Sequence, residues 1–278
     1  LKMDCTTADA SPAASDNLII IQKFEGQNLQ YLKKGTSSAE QLTLSFWVRS
    51  NKTGTYITRL RDADNTRSTS KSYTISSADT WEKKTITFDA DTTGTLNNDN
   101  GTSLQLYFYL GAGSNYTSGT LATSWEANTN ANNAVGQVNL ADSTSNEWYV
   151  TGVQLEVGSA ASDFEFLPVD VNLRRCQRYY WRNNGANSAF GSGVFASSTA
   201  GQLYVKFPTT MRSAPSFSFS NNIYVGGGTS SNTISSLSAN SGLSESFVTC
   251  NLSGSGGAAT NGAVGYITNG YIDGSSEL

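Results

Sequence analysis

The sequence predicts an all-β protein, built as an N-terminal jelly-roll β-sandwich followed by a smaller C-terminal β-sandwich domain. The first observation behind this prediction is that apolar and polar residues alternate over many short segments, which is the period of a half-buried strand. The second is that Asn, Gly and Ser separate these segments, as they do in tight turns. The third is composition: 14% of the 278 residues are charged, 26 are glycine and 4 are proline, which is a poor match to helix-rich sequences.

The alternation is clearest in residues 42–49, 104–110 and 148–157. Because side chains on a strand point alternately to its two faces, the apolar set of each segment is predicted to lie in the core. These inward residues are Leu42, Leu44, Phe46, Val48, Leu104, Leu106, Phe108, Leu110, Val153, Leu155 and Val157. Further strands are predicted over residues 17–23, 55–60, 71–76, 81–88, 174–182, 203–207, 215–219, 246–252 and 264–272, and a short helical turn over 171–179.

The distribution of charge divides the chain into two domains. Residues 1–175 carry a net charge of −5, whereas residues 176–278 carry +1 and few charged side chains of either sign. Pro168 ends a strand-like run between these parts, because proline cannot donate to a β-ladder. We therefore predict a first domain over residues 1–168 and a second over 169–278.

Composition also excludes several classes of function. Histidine is absent, which excludes Ser-His-Asp and Cys-His catalysis and histidine-ligated zinc. A net charge of −4 disfavours a nucleic-acid partner, and no apolar run approaches the roughly 20 residues that span a bilayer, so membrane insertion is not predicted. A glycoside hydrolase needs two carboxylates about 5 to 10 Å apart, and spacing singles out no pair among the 22 acidic residues. The sequence therefore predicts a protein that is not an enzyme.

The polar sides of the predicted strands carry large aromatic residues. Trp47, Tyr107 and Tyr109 are predicted to stand on the outer face of the sandwich, beside amide, guanidinium and carboxylate side chains. An aromatic ring covers the apolar C–H face of a sugar while polar neighbours bind its hydroxyls, so this face is a candidate glycan-binding surface. The alternative is that another strand, domain or subunit covers it, since exposed aromatic patches often mark interfaces. The predicted glycan-binding residues are Trp47, Arg49, Gln105, Tyr107, Tyr109, Gln154 and Glu156.

Two acidic turns, at residues 62–65 and 89–91, have the oxygen-rich character of calcium sites. They lack the twelve-residue loop pattern of the best-known calcium-binding motif, and solvated turns are the alternative interpretation. No cofactor is therefore predicted, and a structural calcium remains a hypothesis for these turns.

Four segments occur in a fixed order along the chain, and as a set they are more specific than any one of them. They are LTLSFWVRSNKTGTY, TWEKKTITFDADTTGTL, EWYVTGVQLEVGSAASDFEFLP and RRCQRYYW. This ordered set resembles a family of bacteriophage virion proteins found in tail fibres and related appendages, over residues 1–181. The segment YVKFPTTMRSAPSFSF and the terminal EL are similar to the second, more variable domain of that family.

The resemblance implies a carbohydrate-binding-module-like jelly roll over residues 1–168 and an oligomerising or receptor-facing β-domain over residues 169–278. The implied function is that of a virion structural protein, a tail fibre or its receptor-binding part, which adheres to host-surface glycan without catalysis. The implied location is the virion, and the implied partners are copies of the same chain in a homotrimer, other virion proteins and the glycan. The alternatives are a capsid decoration or baseplate adaptor protein, and a carbohydrate-binding module or depolymerase tailspike.

The sequence departs from the family pattern in two places. Family members usually carry an opening strand around an Asp-Arg-Trp motif, and no segment here matches it, so the first jelly roll is expected to lack one strand unless that segment has been trimmed. The link reads SDFEFLP in place of the usual TPFE and basic stretch, which keeps Phe164 as an expected core residue but changes the surface chemistry of the joint.

Overall fold

The computed structural model describes residues 1–184, 190–195, 200–219, 224–226, 231–239, 247–255, 264–268 and 271–278. These residues form two compact units, one comprising Leu1–Phe166 together with Leu278 and the other Leu167–Glu277. Strands predominate in both units, which confirms the prediction of an all-β protein. No helix within the described ranges is long and apolar enough to cross a membrane.

The first unit consists of two antiparallel sheets. Its strands and its one short α-helix are β1 (Lys2–Asp4), β2 (Asn17–Glu25), β3 (Leu42–Ser50), β4 (Gly54–Asp62), β5 (Arg67–Ile75), β6 (Glu82–Phe88), β7 (Thr102–Ala112), α1 (Ser114–Thr117), β8 (Glu126–Ala127) and β9 (Glu147–Val157). The strand order is β1-β9-β3-β6 in the four-stranded sheet and β2-β7-β4-β5-β8 in the five-stranded sheet. Single 3-10 turns cover Gly26–Asn28, Gln30–Leu32, Asn130–Asn132 and Leu140–Asp142.

The core of the first unit is built from the inner faces of these sheets. The inward sets predicted for residues 42–49 and 104–110 are buried, which confirms the alternation argument for both strands. The Phe46 ring meets the rings of Tyr73 and Phe108 edge-on, at 5.1 Å between centroids in each case. Burying one such side chain contributes about 1.5–3 kcal/mol, so the sandwich gives its outer faces a rigid support.

The alternation prediction is wrong at the end of β9. Leu155 packs against the core, but the predicted core residues Val153 and Val157 are both more than one-third exposed. The β3–β9 register shifts at Gly152, whose φ is +58°. Gly152 and Val153 together lie opposite Phe46, so the bulge inserts an extra residue into β9 and displaces Val153 from the predicted position. Beyond the bulge, Leu155 and Val157 pair with the inward residues Leu44 and Leu42, although Val157, the last residue of the strand, is exposed.

The second unit begins with helix α2 (Val169–Gln177), which confirms the helical turn predicted in this region. Arg174 and Arg175 consequently lie on a helix and not on the strand predicted over residues 174–182. The strands are β10 (Tyr180–Asn184), β11 (Phe190–Phe195), β12 (Ala200–Lys206), β13 (Ser216–Phe219), β14 (Tyr224–Gly226), β15 (Ser231–Ala239), β16 (Phe247–Ser255), β17 (Val264–Thr268) and β18 (Tyr271–Ser275).

Six strands of the second unit form an antiparallel sheet that closes on itself, in the order β11-β12-β16-β15-β14-β17. The other three form a separate sheet in the order β10-β18-β13. The predicted strand over residues 264–272 is divided between β17 and β18, which belong to different sheets. Each strand of a closed sheet is hydrogen-bonded to a neighbour on both sides, so this sheet has no edge strand to protect. It differs in this respect from the predicted pair of packed sheets, whose edge strands would be open.

Candidate functional site

The structure separates the seven predicted glycan-binding residues into two groups. The β3 and β9 strands of the four-stranded sheet carry Trp47, Arg49, Gln154 and Glu156, and β7 of the five-stranded sheet carries Gln105, Tyr107 and Tyr109. The outer faces of two packed sheets point in opposite directions. The prediction of one continuous surface is therefore wrong, because alternation along a strand does not say to which sheet the strand belongs.

The outer face of the four-stranded sheet presents Trp47 and Arg49 along β3. Their outward direction follows from the pleat, since the residues immediately before each of them are fully buried. On β9, Trp47 is paired with Thr151 and Arg49 with Tyr149. Trp47 is 43% exposed, so its indole is accessible to a ligand.

Tyr149 lies within a group of aromatic and charged side chains on this face. The Arg49 guanidinium and the Lys2 ammonium lie 5.4 and 5.7 Å from the centroid of the Tyr149 ring, which are cation–π distances. The Trp81 ring meets Tyr149 at 6.3 Å between centroids and is itself 42% exposed. The Tyr149 hydroxyl donates to Glu147, and this hydrogen bond raises the pKa of the phenol. We call Trp47, Arg49, Trp81 and Tyr149 the aromatic face.

Sequence reasoning missed two members of the aromatic face. Tyr149 was within reach of the alternation argument, because its neighbours Trp148 and Val150 are buried. Trp81 is the first residue of the strand predicted over 81–88, where its spacing from Ile86 and Phe88 places it on the outer face, and in the structure it directly precedes β6, which begins at Glu82. The same alternation argument could therefore have found it.

Exposed ion pairs border the aromatic face. Arg49 Nη2 lies 3.2 Å from Asp79 Oδ1, and Lys2 Nζ lies 2.6 Å from Glu147 Oε1. The hydrogen bond from Lys2, followed by that from Tyr149, holds the pKa of Glu147 below its usual range. Exposed pairs of this kind contribute little to stability, so their main consequence here is to place donors and acceptors around the rings.

Gln154 and Glu156 pair with Ser45 and Thr43 on the predicted outer face, and both form hydrogen bonds within the protein's own chain. Their role in glycan binding stays a prediction. Gln154 Nε2 donates to Glu156 Oε1 and to Ser162 Oγ, both at 3.0 Å. The Glu156 carboxylate accepts from Ser162 N at 2.9 Å and from Ser162 Oγ at 2.7 Å, and the backbone N–H of Glu165 donates to Gln154 Oε1 at 2.9 Å. The hydrogen bonds from Ser162 and Gln154 hold the pKa of Glu156 below its usual range. We call the contacts among Gln154, Glu156, Ser162 and Glu165 the clasp.

The clasp brings Phe164 close to Trp47. A Cβ placed on Gly152 would lie 3.5 Å from the Trp47 ring and 3.8 Å from the Phe164 ring, so both rings border this glycine. The Phe164 ring meets that of Phe166 at 4.9 Å between centroids. Phe164 is more than one-third exposed, which corrects the expectation of a core residue. It extends the aromatic face at the Trp47 end.

Gln105, Tyr107 and Tyr109 are buried, so the prediction that they stand exposed is wrong. Tyr109 is 2% exposed, and both tyrosines pack in a small cluster with Ile57 and Ala134. The Tyr107 hydroxyl donates to Gln105 Oε1 at 2.7 Å. The covering residues belong to the connection between β7 and β9, so the alternative of a covered face applies here, and the cover is part of the same chain.

The two acidic turns proposed for calcium meet around a lysine. Lys34 Nζ lies 2.5 Å from Asp62 Oδ2 and 2.8 Å from Asp91 Oδ2, and all three side chains are buried. Lys34 Nζ also donates to the carbonyl oxygens of Thr93 and Gly94, at 3.1 and 3.0 Å. Within the described residues, no group of three or more His, Cys, Asp or Glu is placed to hold a metal ion. A lysine ammonium thus stands at the oxygen-rich position that the hypothesis gave to calcium.

Arg67 and Trp125 complete this buried arrangement. Arg67 donates to both carboxylate oxygens of Asp91, at 2.9 and 3.0 Å, and the Lys34 ammonium lies 5.0 Å from the Trp125 ring centroid. Burial raises the pKa of Asp91, but the hydrogen bonds from Arg67 and Lys34 outweigh it, and the pKa lies below its usual value. We call Lys34, Asp62, Arg67 and Asp91 the charge cluster. It ties β4 and β5 of one sheet to the segment after β6 of the other.

The aromatic face combines ring surfaces with charged groups. Its rings offer flat apolar surface, and its charged groups are held in ion pairs. No protein-family model matches the chain, and no curated protein sequence matches it. The function is therefore argued from this geometry and from the ordered motifs.

Proposed function

We propose that this protein is a non-catalytic virion structural protein, a phage tail fibre or its receptor-binding part, which adheres to host-surface glycan through the aromatic face. The single observation that carries the binding proposal is the exposed Trp47 ring on a rigid sheet. The virion part of the proposal is supported by the four ordered sequence motifs.

The aromatic face has the parts that a sugar-binding surface needs. The Trp47 indole is placed to cover the C–H face of a pyranose ring. Arg49 and the exposed Thr151, which is paired with Trp47 across the sheet, are placed to bind sugar hydroxyls. A single site of this size is weak, and a homotrimer of the chain would strengthen adhesion because linked sites bind at high effective concentration.

A glycan array followed by titration calorimetry with the strongest glycan tests the binding proposal. Trp47→Ala is expected to weaken binding at least about tenfold, which corresponds to about 1.4 kcal/mol. Tyr31→Ala is the matched control, because Tyr31 is a 57% exposed aromatic residue outside the aromatic face and its loss is expected to leave affinity unchanged. Equal affinity of the Trp47 variant and the control would remove the aromatic face as the glycan site.

A capsid decoration or baseplate adaptor protein is the second candidate. Phe164 and Phe166 favour it, because exposed phenylalanine rings offer no polar group to sugar hydroxyls and suit a protein contact. Cryo-electron microscopy of an intact particle would separate the two: density of this chain at the distal end of a fibre supports the first, and density on the capsid or within the baseplate supports the second.

The proposed homotrimer is tested by analytical ultracentrifugation of the full chain. A species three times the mass of the chain is expected at micromolar concentration. A stable monomer under those conditions would contradict the trimer and the avidity argument built on it.

A further inference from the structure

The covered face of the five-stranded sheet contains an arginine without an acidic partner. Arg59 lies on β4, is 3% exposed, and forms no ion pair with a carboxylate in the part of the chain that the structure describes. Its Nη2 donates to the amide oxygen of Asn128, and its Nε has no hydrogen-bond partner. Burying a charge without a counter-charge is costly, so this arrangement calls for an explanation.

Arg61, two residues further on the same face of β4, lacks a carboxylate partner as well in the described residues. Its Nη1 donates to Gln105 Oε1 at 3.0 Å. Burial lowers the pKa of Arg59, and the nearby charge of Arg61 lowers it further, although Tyr109 and Tyr107 act in the opposite direction. The two positively charged guanidinium groups therefore repel each other, although acidic residues outnumber basic ones in this part of the chain.

Arg67, in the same unit, provides a comparison, because its guanidinium group has a carboxylate partner. Its guanidinium meets both oxygens of Asp91 at 2.9 and 3.0 Å. Arg59 has instead the face of the Tyr107 ring, 4.9 Å from its Cζ, the neutral amide of Asn128 and a hydrogen bond with the neutral side chain of Tyr109. The position that a carboxylate takes beside Arg67 is taken by an amide oxygen beside Arg59.

We propose that Arg59, Arg61 and Gln105 form a binding subsite for an oxyanion, a carboxylate or phosphate group of a ligand, that enters beside the partly exposed Arg61. An oxyanion there accepts from both guanidinium groups and replaces the amide oxygen of Asn128 at Arg59. Because the subsite lies on the opposite sheet from the aromatic face, it stands whether or not Trp47 binds glycan. Its response is expected to be unchanged in Trp47→Ala.

The test is thermal unfolding and titration calorimetry of the full chain with sodium glucuronate, inorganic phosphate and neutral glucose, at ionic strength matched with chloride. Glucuronate and phosphate are expected to raise the unfolding midpoint by a few degrees, and glucose to leave it unchanged. Arg61→Gln is expected to weaken anion binding about ten- to hundredfold. Lys83→Gln, on the other sheet, is the control and is expected to bind as the unmodified chain does.

The two anions also distinguish the source of the oxyanion. Tighter binding of glucuronate assigns the subsite to an acidic sugar, and equal or tighter binding of phosphate assigns it to a phosphate group. A midpoint that responds to neither anion, or that responds equally to glucose, would overturn the proposal.

Asn128→Asp gives a second test that does not depend on removing a buried residue. A carboxylate at this position pairs with Arg59 within the chain, so the variant is expected to unfold at a higher temperature and to lose its response to added anions. Asn130→Asp, at an exposed neighbour that accepts from Asn128 Nδ2, is the matched control and is expected to keep the response. An Asn128→Asp variant with an unchanged midpoint and an undiminished response would show that Arg59 does not need an anion.

Discussion

The outer faces of the two sheets in the first unit both follow from strand alternation, but one is exposed to solvent and the other is covered. On the four-stranded sheet Trp47 and Trp81 are exposed, whereas on the five-stranded sheet Tyr107 and Tyr109 are buried beneath the connection between β7 and β9. Alternation decides which side chains leave the core. Whether they meet solvent is decided by where the long connection returns, and that is a property of the whole chain.

The largest effect on stability is expected at the charge cluster, which contrasts with the ion pairs around the aromatic face. Lys34→Met leaves Asp62 and Asp91 buried without their shared cation and is expected to cost about 3–5 kcal/mol in the free energy of unfolding. Lys2→Met removes the exposed partner of Glu147 and is expected to change this free energy little. Denaturant unfolding of both variants measures the difference, and equal losses would contradict the contrast between the buried charge cluster and the exposed ion pairs.

A smaller effect is expected when one ring is removed from each outer face. Tyr109→Ala empties a buried position and is expected to cost about 3 kcal/mol. Trp47→Ala removes an exposed ring and is expected to cost less than about 1 kcal/mol. Thermal and urea unfolding of the pair sharpen the comparison, and a Tyr109 variant as stable as the Trp47 variant would mean that the covering segment does not seal its face.

Acid is expected to weaken the charge cluster in a defined direction. Because the pKa of Asp91 in the folded protein lies below its ordinary value of 3.8, the carboxylate stabilises the fold above that pH. This contribution starts to be lost as the pH approaches the ordinary value of 3.8 and is gone once the pH has fallen through the lower folded-state pKa, so the free energy of unfolding is expected to decline over this interval. Arg67→Gln removes a hydrogen bond that lowers the pKa of Asp91 in the folded protein, so the acid-dependent loss is expected to be smaller and to be complete at a higher pH. An identical pH profile for this variant would contradict the role of Arg67.

The smallest effect is expected at the clasp beside the aromatic face. Glu156→Gln removes the charge that accepts two hydrogen bonds from Ser162 and is expected to speed protease cleavage near Ser162 severalfold with little change in global stability. Glu165→Gln is the control, because Glu165 takes part through its backbone N–H alone among the contacts of the clasp. Unchanged cleavage in Glu156→Gln would show that the segment is held by other contacts.

The sequence was sufficient for the fold class and for most of the first unit's core. The inward residues of β3 and β7 follow from period-2 alternation, because a rigid pleat imposes it on every regular strand. The pattern failed at Val153, because the bulge at Gly152 inserts one residue into β9 and so reverses which positions point inward between Val150 and Leu155. It also said nothing about sheet membership, which depends on strand pairings distant in the sequence.

The candidate site was predicted in part for the same reason. Trp47 and Arg49 were found because they lie on a regular strand with a clear apolar face. Tyr149 lies on such a strand and Trp81 directly precedes one, so extending the same argument would have found both. The acidic turns were recognised as oxygen-rich, but Lys34, which lies between them in space, is far from both in sequence. Its burial among carboxylates and carbonyl groups could be seen only once the chain was folded.

The charge cluster has one further consequence for how this sandwich is held together. When a bound metal ion links two sheets, dilution or a chelator removes the ion, and the carboxylates that bound it then repel each other. Here the cation is a side chain of the same chain, so it stays in place at any protein concentration. The tie between the ends of the two sheets is thus independent of the mineral content of the surroundings.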